Sequence, residues 1–353
     1  MKTVRINTAP AYSVHIGAGL LPQCGTYIAQ VHPLCTAVVV TDSCVDGLYS
    51  AAVTASLEKS GFRVVKFVFP HGEQSKNLEQ YAALLSFMAE QEVTRSDLIV
   101  ALGGGVVGDL AGFAAATYQR GIAFVQLPTT LLAQIDSSVG GKTAVDLPQG
   151  KNLVGAFWQP KLVLCDPLCL DSLPSEVRAD GLGEAVKYGM IADARLLEQL
   201  CGDGLTRNPE AVITRCIQIK ADAVEADELD NGRRQILNFG HTVGHAIERH
   251  SRFTITHGHA VAMGMGVITR ACVRRGLVPP ETWTTLKQAL VQNGLPLDCP
   301  VPADVLAQGA AADKKRRGSR ITLVLPLEAG RCTLSPTSVD ELEAFFADGV
   351  AQL

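Results

Sequence analysis

A chain of 353 residues is longer than one hydrophobic core usually supports, so we expect two domains. With 47% hydrophobic residues, 19% charged residues and a net charge of −4, the chain has an ordinary globular composition, which argues against nucleic acid or an anionic membrane as its main partner. Ten scattered cysteines without a C-x-x-C pair favour reduced thiols in a cytoplasmic protein over a disulfide framework.

The first half of the sequence has the pattern of a doubly wound α/β domain. The opening MKTVRINTAPAYSVHIG alternates polar and apolar residues like a hairpin and lacks the apolar centre of a signal peptide. From residue 36 onward, short β-branched runs alternate with amphipathic stretches such as 77–92, which predicts buried parallel strands joined by helices. The predicted strands are TAVVVTD, FRVVKFVFP, DLIVALGG, AFVQLPT and KLVLCDP.

Helical periodicity replaces the strand pattern after residue 174, and no apolar run approaches the ~18–20 residues that span a bilayer. We therefore predict an α/β, Rossmann-like domain over residues 1–165 and a mostly α-helical domain over residues 166–353, with the functional site expected in a cleft between them. The predicted elements of the second domain are helices up to residue 200 and over 209–228, 233–250, 260–275 and 284–293, a strand RITLVLPL, and a closing helix near 339–346.

A glycine-rich turn follows the third predicted core strand. VALGGGVVGDL places Gly103, Gly105 and Gly108 in G-x-G-x-x-G register between a strand and a helix. Glycines there let backbone N–H groups approach a pyrophosphate, which the positive helix end also favours. The pattern favours a dinucleotide such as NAD, although a turn that serves only packing remains the alternative.

The acid expected about 20 residues after such a turn is missing. Asp42, at the end of the first predicted core strand, could hold a ribose instead, as could Glu73 and Lys76 of HGEQSK. The alternatives are a turn cap for Asp42 and solvated charges for the other two.

The segment IDSSVGGKTAVDLPQGKN looks like a P-loop, but Asp136 occupies the position of its first glycine, so ATP chemistry loses its main support. What remains is a glycine-rich turn that presents Lys142, followed by Lys151 and Asn152. These three residues could grip a phosphate or a carboxylate, or they could belong to an ordinary surface loop.

Histidines in the second half suggest a metal site. LNFGHTVGHAIERH sets His241 and His245 on one helical face, which suits two ligands of one metal, or one ligand and one catalyst. Thr242 replaces the acid of H-E-x-x-H, so metalloprotease chemistry is not indicated. His257 begins the next predicted helix and Glu184 lies on an earlier one. One carboxylate with two or three imidazoles and an open position is the ligand set of a catalytic zinc.

Cationic and polar residues accompany these candidate ligands. A spacing of four would stack Asp230, Arg234 and Asn238 on one face if the predicted helix is continuous. Lys314 and Lys315 of DKKRRG are by default a run of solvated charges. A dinucleotide, a metal that polarises a hydroxyl and a cationic pocket imply hydride transfer on an anionic, polyhydroxylated substrate. The residues concerned are Lys187, Lys220, the stacked Asp230, Arg234 and Asn238, and the two lysines Lys314 and Lys315.

Together these segments closely resemble the 3-dehydroquinate synthase family, the sugar phosphate cyclases of the shikimate pathway of aromatic amino acid biosynthesis. The motifs, in the family's order, are HGEQSK, LGGGVVGDLAGFAAATYQRG, PTTLLAQIDSSVGGKTAVD, KN, GLGEAVKYG, LNFGHTVGHAIE, HG and DKK. The resemblance implies that residues 1–165 bind NAD, that residues 166–353 bind zinc or cobalt and the substrate, and that the protein is a homodimer.

The activity that the resemblance implies is that of a lyase, which converts 3-deoxy-D-arabino-heptulosonate 7-phosphate to 3-dehydroquinate and phosphate. The steps are transient oxidation by NAD, phosphate elimination, reduction, ring opening and an intramolecular aldol closure. The implied metal ligands are Glu184, His241 and His257. The implied cofactor residues are Asp42, Glu73, Lys76, Gly104, Gly105, Val106, Asp109, Thr129, Thr130, Lys142, Lys151 and Ser172.

The resemblance also implies residues that contact the substrate. The phosphate would be bound by Lys142, Asn152, Asn238, His245, a lysine of Lys314 and Lys315, and Arg120 of the other subunit. Lys220 and Arg234 would hold the substrate carboxylate, while Asp136 and Lys187 would bind hydroxyls or order the pocket.

Three positions depart from the family pattern. Asp230 stands where the family commonly has Glu, His259 stands where it usually reads H-G-E, and Ser172 replaces the threonine of L-x-T-L-P. His259 could be a stray ligand or a partner of one. Three alternative functions remain open: another sugar phosphate cyclase, a metal-dependent polyol dehydrogenase that releases NADH, and an inactive NAD-binding regulator.

Overall fold

The computed structural model describes residues 1–230, 232–311 and 319–351. The chain folds into two compact units, Met1–Leu173 and Pro174–Leu353. The predicted domain boundary, after residue 165, lies in the segment just before this division.

The first unit is built on a parallel sheet. Its strands are β1 Lys2–Ile6, β2 Tyr12–Ile16, β3 Thr36–Asp42, β4 Arg63–Phe69, β5 Leu98–Gly103, β6 Ala123–Pro128, β7 Lys142–Leu147, β8 Gly150–Phe157 and β9 Leu162–Cys165. Seven of them form one sheet in the order β1-β2-β9-β6-β5-β3-β4. The β1–β2 hairpin is antiparallel, and the other neighbours pair in parallel.

Helices cover both faces of this sheet. They are α1 Cys24–Val31, α2 Ser43–Val45, α3 Ala51–Lys59, α4 Leu78–Glu90 and α5 Gly105–Thr117. Successive side chains of β5 point to opposite faces, so Leu98, Val100 and Leu102 join one apolar core while Ile99 and Ala101 join the other. Burial on both faces explains why the strands read as continuous apolar runs.

The β7–β8 hairpin, whose strands the sequence did not predict, stands outside the main sheet. Its strands pair from Lys142 opposite Phe157 to Leu147 opposite Gly150, with a register shift near Val145. The strands were missed because much of β8 is solvent-exposed and its glycines break the apolar alternation. The alternative of an ordinary surface loop for Lys142, Lys151 and Asn152 was therefore wrong, because all three lie in strands.

The second unit is mainly helical. Its helices are α6 Ser175–Ala192, α7 Ala194–Leu200, α8 Gly204–Arg207, α9 Pro209–Ala226, α10 His241–His250, α11 His257–Arg274, α12 Pro280–Gln292, α13 Ala303–Ala311 and α14 Leu342–Val350. Two strands, β10 Arg320–Glu328 and β11 Arg331–Ser338, form an antiparallel pair. The predicted fold class, a Rossmann-like α/β part followed by a mostly α-helical part, is confirmed. Among the described residues, no helix combines the length and apolarity required to cross a membrane.

Helix α11 is the buried centre of the second unit and packs against α6, α10, α12 and α14. Glycine permits its closest approaches. A Cβ at Gly258 would overlap the backbone oxygen of Asp180 in α6, and a Cβ at Gly264 would overlap that of Gly240 before α10. The backbones of α6, α10 and α11 can therefore lie closer together than side chains would allow.

The predicted continuous helix over 233–250 was wrong. A 3-10 helix covers Arg233–Asn238, and Gly240 then turns the chain with a left-handed φ of 77° before α10 begins. Because Asp230 lies outside any helix and a 3-10 helix has three residues per turn, the predicted stacking of Asp230, Arg234 and Asn238 at a spacing of four does not occur.

Candidate active site

Several predicted cofactor residues lie at the carboxyl ends of the parallel strands. Asp42 ends β3, Gly103 ends β5, and Thr129 directly follows β6. The Thr129 N–H donates to the Gly103 carbonyl at 3.0 Å, which holds the last two ends together. From β3 the chain continues first to one side, to β4, and later to the other, to β5, so this edge is the topological switch point where doubly wound sheets bind ligands.

The glycine turn at this edge opens α5. Gly104 precedes the helix without a side-chain cap, and Gly105 is its first residue, followed by Val106. A Cβ on Gly104 would lie 3.0 Å from the Thr130 methyl group, so the turn packs tightly against the segment after β6. No side chain caps the start of this 13-residue helix, and a helix start of this kind is suited to binding a pyrophosphate.

A buried lysine organises the polar residues beside this turn. Lys76 is 4% exposed. Although burial disfavours its charge, the carboxylates of Asp109, Glu73 and Asp146 raise the pKa of Lys76 above its usual 10.5. The solvated-charge alternative for Lys76 was therefore wrong. Its Nζ lies 3.0 Å from Glu73 Oε1, 3.2 Å from Asp109 Oδ2, 3.8 Å from Asp146 Oδ1 and 2.9 Å from Asn152 Oδ1.

Three other predicted cofactor residues have local partners. Asp42 Oδ1 accepts from the backbone N–H groups of Cys44 and Val45, each at 2.9 Å, so it does cap a turn. Lys151 Nζ lies 3.7 Å from Glu73 Oε1. The hydroxyl groups of Ser172 and Tyr49 are 2.5 Å apart.

The substrate residues predicted in the first unit lie on turns and strand ends. Asp136 is in a single turn of π-helix over Ala133–Ser137, Lys142 begins β7 and is exposed, and Asn152 follows the β7–β8 turn. Arg120 and Asn152 have left-handed φ angles of 66° and 55°, which residues other than glycine rarely adopt. Arg120 is exposed, and the guanidinium of Arg95 donates to the carbonyl of the preceding residue, Gln119, at 2.9 Å.

In the second unit, Glu184, His241 and His257 converge from α6, α10 and α11. Glu184 is fully buried, and its Oε1 lies 3.3 Å from His241 Nε2 and 3.4 Å from His257 Nε2. One potential ligand atom from each residue lies within 4.8 Å of the others. The glycine contacts described above lie beside these residues in sequence: Gly240 precedes His241, and Gly258 follows His257.

This donor set fits a zinc or cobalt ion. Two ligands held at about 2.0–2.1 Å on one tetrahedral ion lie roughly 3.3 Å apart, which matches the separations of Glu184 from both histidines. Three protein ligands leave a fourth position for a substrate, as in catalytic zinc sites. The residues present could therefore hold such an ion.

Each candidate ligand histidine has a second partner that suits the same arrangement. His241 Nδ1 lies 3.1 Å from the Phe239 carbonyl, and His257 Nδ1 lies 3.4 Å from Glu248 Oε2. Burial lowers the pKa of His241 well below 6.5. Burial also opposes charge on His257, but hydrogen bonds to Glu184 and Glu248 raise its pKa to about 10. Surroundings that favour a proton on His257 also favour a metal cation there.

His245 occupies a different position in the histidine cluster. Its ring centre is 5.6 Å from that of His241 and 6.1 Å from that of His257. The potential ligand group that contains His245 has Glu248 and His257 as its other members, whereas Glu184 groups with His241 and His257. Of the H-x-x-x-H pair, His241 therefore groups with Glu184 and His257, and His245 does not.

The cationic residues of the second unit are largely buried. Lys187 is 1% exposed and pairs with Glu184, Lys220 is 6% exposed, and Arg234 is 2% exposed. Arg234 donates to the Glu228 carbonyl at 2.7 Å. Asp230 has a left-handed φ of 59°, and Asn238 ends the 3-10 helix. Lys314 and Lys315 lie outside the described residues.

Sequence reasoning missed three acids that the structure places beside predicted site residues. Asp146 lies beside Lys76, Glu248 beside His257, and Asp180 at the start of α11. Only Glu248 had a usable sequence signal, because it lies seven residues after His241 on the same helical face. His259 interacts with Asp180 Oδ1 at 3.3 Å and Thr256 Oγ1 at 2.8 Å.

Comparison with known proteins places the chain in a family. The model of the 3-dehydroquinate synthase N-terminal domain matches residues 66–179, and that of the C-terminal domain matches residues 181–316. The chain belongs to the 3-dehydroquinate synthase family. A 3-dehydroquinate synthase of Streptococcus pneumoniae (strain Hungary19A-6) is 44% identical over 341 residues, which cover 95% of this chain and 96% of the relative. The predicted family membership is thereby confirmed.

Solved structures of related enzymes share the fold of this 3-dehydroquinate synthase family member. A 2-deoxy-scyllo-inosose synthase complexed with carbaglucose-6-phosphate, NAD⁺ and Co²⁺ has a TM-score of 0.88 and 28% identity, and covers 99% of this chain and 100% of its own. A 2-epi-5-epi-valiolone synthase from Streptomyces hygroscopicus subsp. jinggangensis 5008, with NAD⁺ and Zn²⁺ bound, has a TM-score of 0.87 and 26% identity, with coverages of 95% and 96%. A probable glycerol dehydrogenase from Sinorhizobium meliloti 1021, at 17% identity, shares the fold alone.

The carboxylate cluster around Lys76 predicts a pH-dependent stability. Burial raises the pKa of Asp109 from 3.8 to about 6, against the opposing effect of Lys76. A raised pKa in the folded state means that this group stabilises the fold fully below pH 4 and that the stabilisation is lost as the pH rises through 6. Asn does not titrate, so we expect the free energy of unfolding of Asp109→Asn, relative to the parent, to improve by about 2 kcal/mol between pH 4 and pH 7.

Urea unfolding at both pH values measures this change. The control replaces exposed Asp171 by Asn, which subtracts the general effect of removing one carboxylate from the same unit. A difference between Asp109→Asn and the parent that stays constant with pH would contradict the assignment.

Proposed function

We propose that this enzyme is a 3-dehydroquinate synthase, which converts 3-deoxy-D-arabino-heptulosonate 7-phosphate to 3-dehydroquinate and inorganic phosphate. The observation that carries the proposal is the convergence of Glu184, His241 and His257 in a chain that matches both domains of this family. NAD and zinc or cobalt are its cofactors, as supported by the related cyclases that were solved with NAD⁺ and Co²⁺ or Zn²⁺.

A bound metal ion would supply Lewis acidity for the carbon 5 hydroxyl of the substrate, and bound NAD would supply reversible hydride transfer at that carbon. Glu184, His241 and His257 would hold the metal. The glycine turn at Gly104 and Gly105, with the polar residues around Lys76, would hold NAD.

The remaining residues bind and orient the substrate. We assign the binding of the substrate carboxylate to Lys220 and Arg234. Both cations are buried, which suits an anion that gives up its hydration when it binds. Asp136 and Lys187 are assigned to hydroxyl groups or to ordering the pocket, and the shorter Asp230 keeps the acid of the family pattern. The phosphate is assigned to Lys142, Asn152, Asn238, His245, and Lys314 or Lys315.

His245 is the best candidate for moving a proton. An imidazole titrates near neutral pH and can both accept a proton and hydrogen-bond a phosphate. In this reaction the transient ketone at carbon 5 acidifies carbon 6, so loss of the carbon 6 proton allows the bond between carbon 7 and the phosphate oxygen to break. A base beside the phosphate would therefore serve the elimination. Return of the hydride, ring opening and the aldol closure would then complete the reaction.

In the decisive experiment, the purified protein is loaded with NAD and zinc and is then incubated with 3-deoxy-D-arabino-heptulosonate 7-phosphate. Inorganic phosphate should accumulate while NADH absorbance does not, because each turnover returns the hydride. Accumulation of NADH would instead indicate a polyol dehydrogenase. If neither phosphate nor NADH accumulates, the protein would be an inactive regulator. A heptulose or hexose phosphate without a carboxylate, tested in parallel, identifies a cyclase of different specificity if it is the better substrate.

The two histidines of GHTVGH should separate metal binding from catalysis. We expect His241→Ala to lose most bound zinc and its activity. His245→Ala should keep near-stoichiometric zinc and NAD, yet turn over roughly 10²–10⁴-fold more slowly, since it loses general acid–base work. Metal analysis of the purified variants, with the parent as control, decides the assignment. If His245→Ala is the zinc-free protein, the two roles are reversed.

We further propose a homodimer in which Arg120 serves the active site of the partner. The exposed, left-handed position of Arg120, fixed through Gln119 by Arg95, supports a side chain presented away from its own unit. Its guanidinium would add a bidentate donor for the substrate phosphate.

Mixing two inactive variants tests this arrangement. In a heterodimer of Arg120→Ala and Lys142→Ala chains, one site would keep its own Lys142 and the partner's Arg120, while the other would lack both. Random exchange should therefore restore roughly a quarter of the parental activity. Each variant alone, taken through the same exchange, is the control. No recovery after verified subunit exchange would place Arg120 in its own subunit's site.

A further inference from the structure

Glu248 is a buried acid without a role in the proposed reaction. It is 4% exposed and lies on α10, two helical turns after His241 and one turn after His245. Its Oε2 lies 3.4 Å from Nδ1 of His257, the first residue of α11. A carboxylate so deeply buried costs stability unless it is paired, which makes this contact significant.

We propose that Glu248 is a positioning residue that orients the His257 ring for metal binding, an inference that rests on the proposed function. The two ring nitrogens of His257 face two different carboxylates: Nδ1 faces Glu248, while Nε2 lies 3.4 Å from Glu184 Oε1. If the Nδ1–H of the His257 ring donates to Glu248, the lone pair of Nε2 is available to a metal ion that Glu184 also binds.

The backbone of His257 is fixed separately. Asp180 Oδ1 accepts from the N–H groups of Gly258 at 2.6 Å and His259 at 3.2 Å, which pins the first turn of α11 to α6. The His259 ring also interacts with Asp180 Oδ1. The residue that departs from the H-G-E pattern of the family therefore has its partner at the start of α11. Rotation about the side-chain bonds of His257 is the freedom that remains, and Glu248 limits it.

His241, the other candidate histidine ligand, has a neutral group rather than a carboxylate beside its Nδ1. His241 Nδ1 lies 3.1 Å from the Phe239 carbonyl. A charged acceptor raises the basicity of the opposite ring nitrogen more than a carbonyl does, and it adds negative charge beside a dication. Glu248 should therefore strengthen metal binding as well as orient the ring.

A second interpretation of the same residues can be separated by stoichiometry. Potential ligand atoms of His245, Glu248 and His257 also lie within 4.8 Å of one another, which could hold a second cation. A positioning role predicts one zinc per parental chain, whereas a ligand role predicts two and the loss of one when Glu248 is replaced.

The experiment titrates zinc alone into metal-stripped protein against a chromophoric chelator. We expect Glu248→Ala to bind a single zinc roughly 10–100-fold more weakly than the parent. Glu248→Gln, which keeps an oxygen acceptor without the charge, should lose less and remains informative if the Ala variant does not fold. At saturating zinc, kcat of either variant should return toward the parental value, because a positioning residue acts through the occupancy of the metal site.

Two comparisons make the result specific. Glu176→Gln, an exposed glutamate of α6, should leave zinc affinity unchanged. Glu184→Gln should weaken it, since Glu184 is a proposed ligand. Weakened binding in Glu184→Gln with parental affinity in both Glu248 variants, or two zinc ions per parental chain, would overturn the positioning role and leave the proposed function standing. Parental affinity in Glu184→Gln as well would overturn the metal site and this role with it.

Discussion

The fully buried carboxylate of Glu184 is the constraint around which the second unit is arranged. A charge removed from water must find partners, and here Lys187 follows it by one turn of the same helix while two imidazoles approach from α10 and α11. Their approach requires three backbones to pass close together, which the glycines at 258 and 264 allow. The proposed metal site and the helix packing of this unit therefore depend on the same arrangement.

Much of this fold could be predicted because its elements carry local signals. The runs TAVVVTD and LIVAL are too short and too β-branched for helices, and they became β3 and β5. Gly240 shows where local reasoning failed: the apolar periodicity continues through it, but its left-handed conformation separates the 3-10 helix from α10. The glycine before His241 was visible in the sequence, yet only the close contact with α11 explains why the chain turns there.

The candidate site was predictable in its residue types and less so in its contacts. Residue types indicated a carboxylate and two or three imidazoles as metal ligands, and the family resemblance then selected Glu184, His241 and His257. The burial of Lys76 among three carboxylates could not be predicted from the sequence, because it depends on the β7–β8 hairpin. That hairpin brings Asp146 and Asn152 to the loop after β4. One cation thus links the predicted cofactor residues to the predicted phosphate residues in a way that no single motif contains.

Arg120, Asn152 and Asp230 share an uncommon backbone conformation, with positive φ at each. Left-handed geometry costs an L-residue about 1 kcal/mol relative to glycine, less for Asn and Asp than for Arg. Glycine at any of the three would suit the backbone better and would delete a side chain that the reaction is proposed to use. Efforts to make this protein more heat-resistant by relieving backbone strain would therefore select against its chemistry, and the three positions are ones that such engineering should leave unchanged.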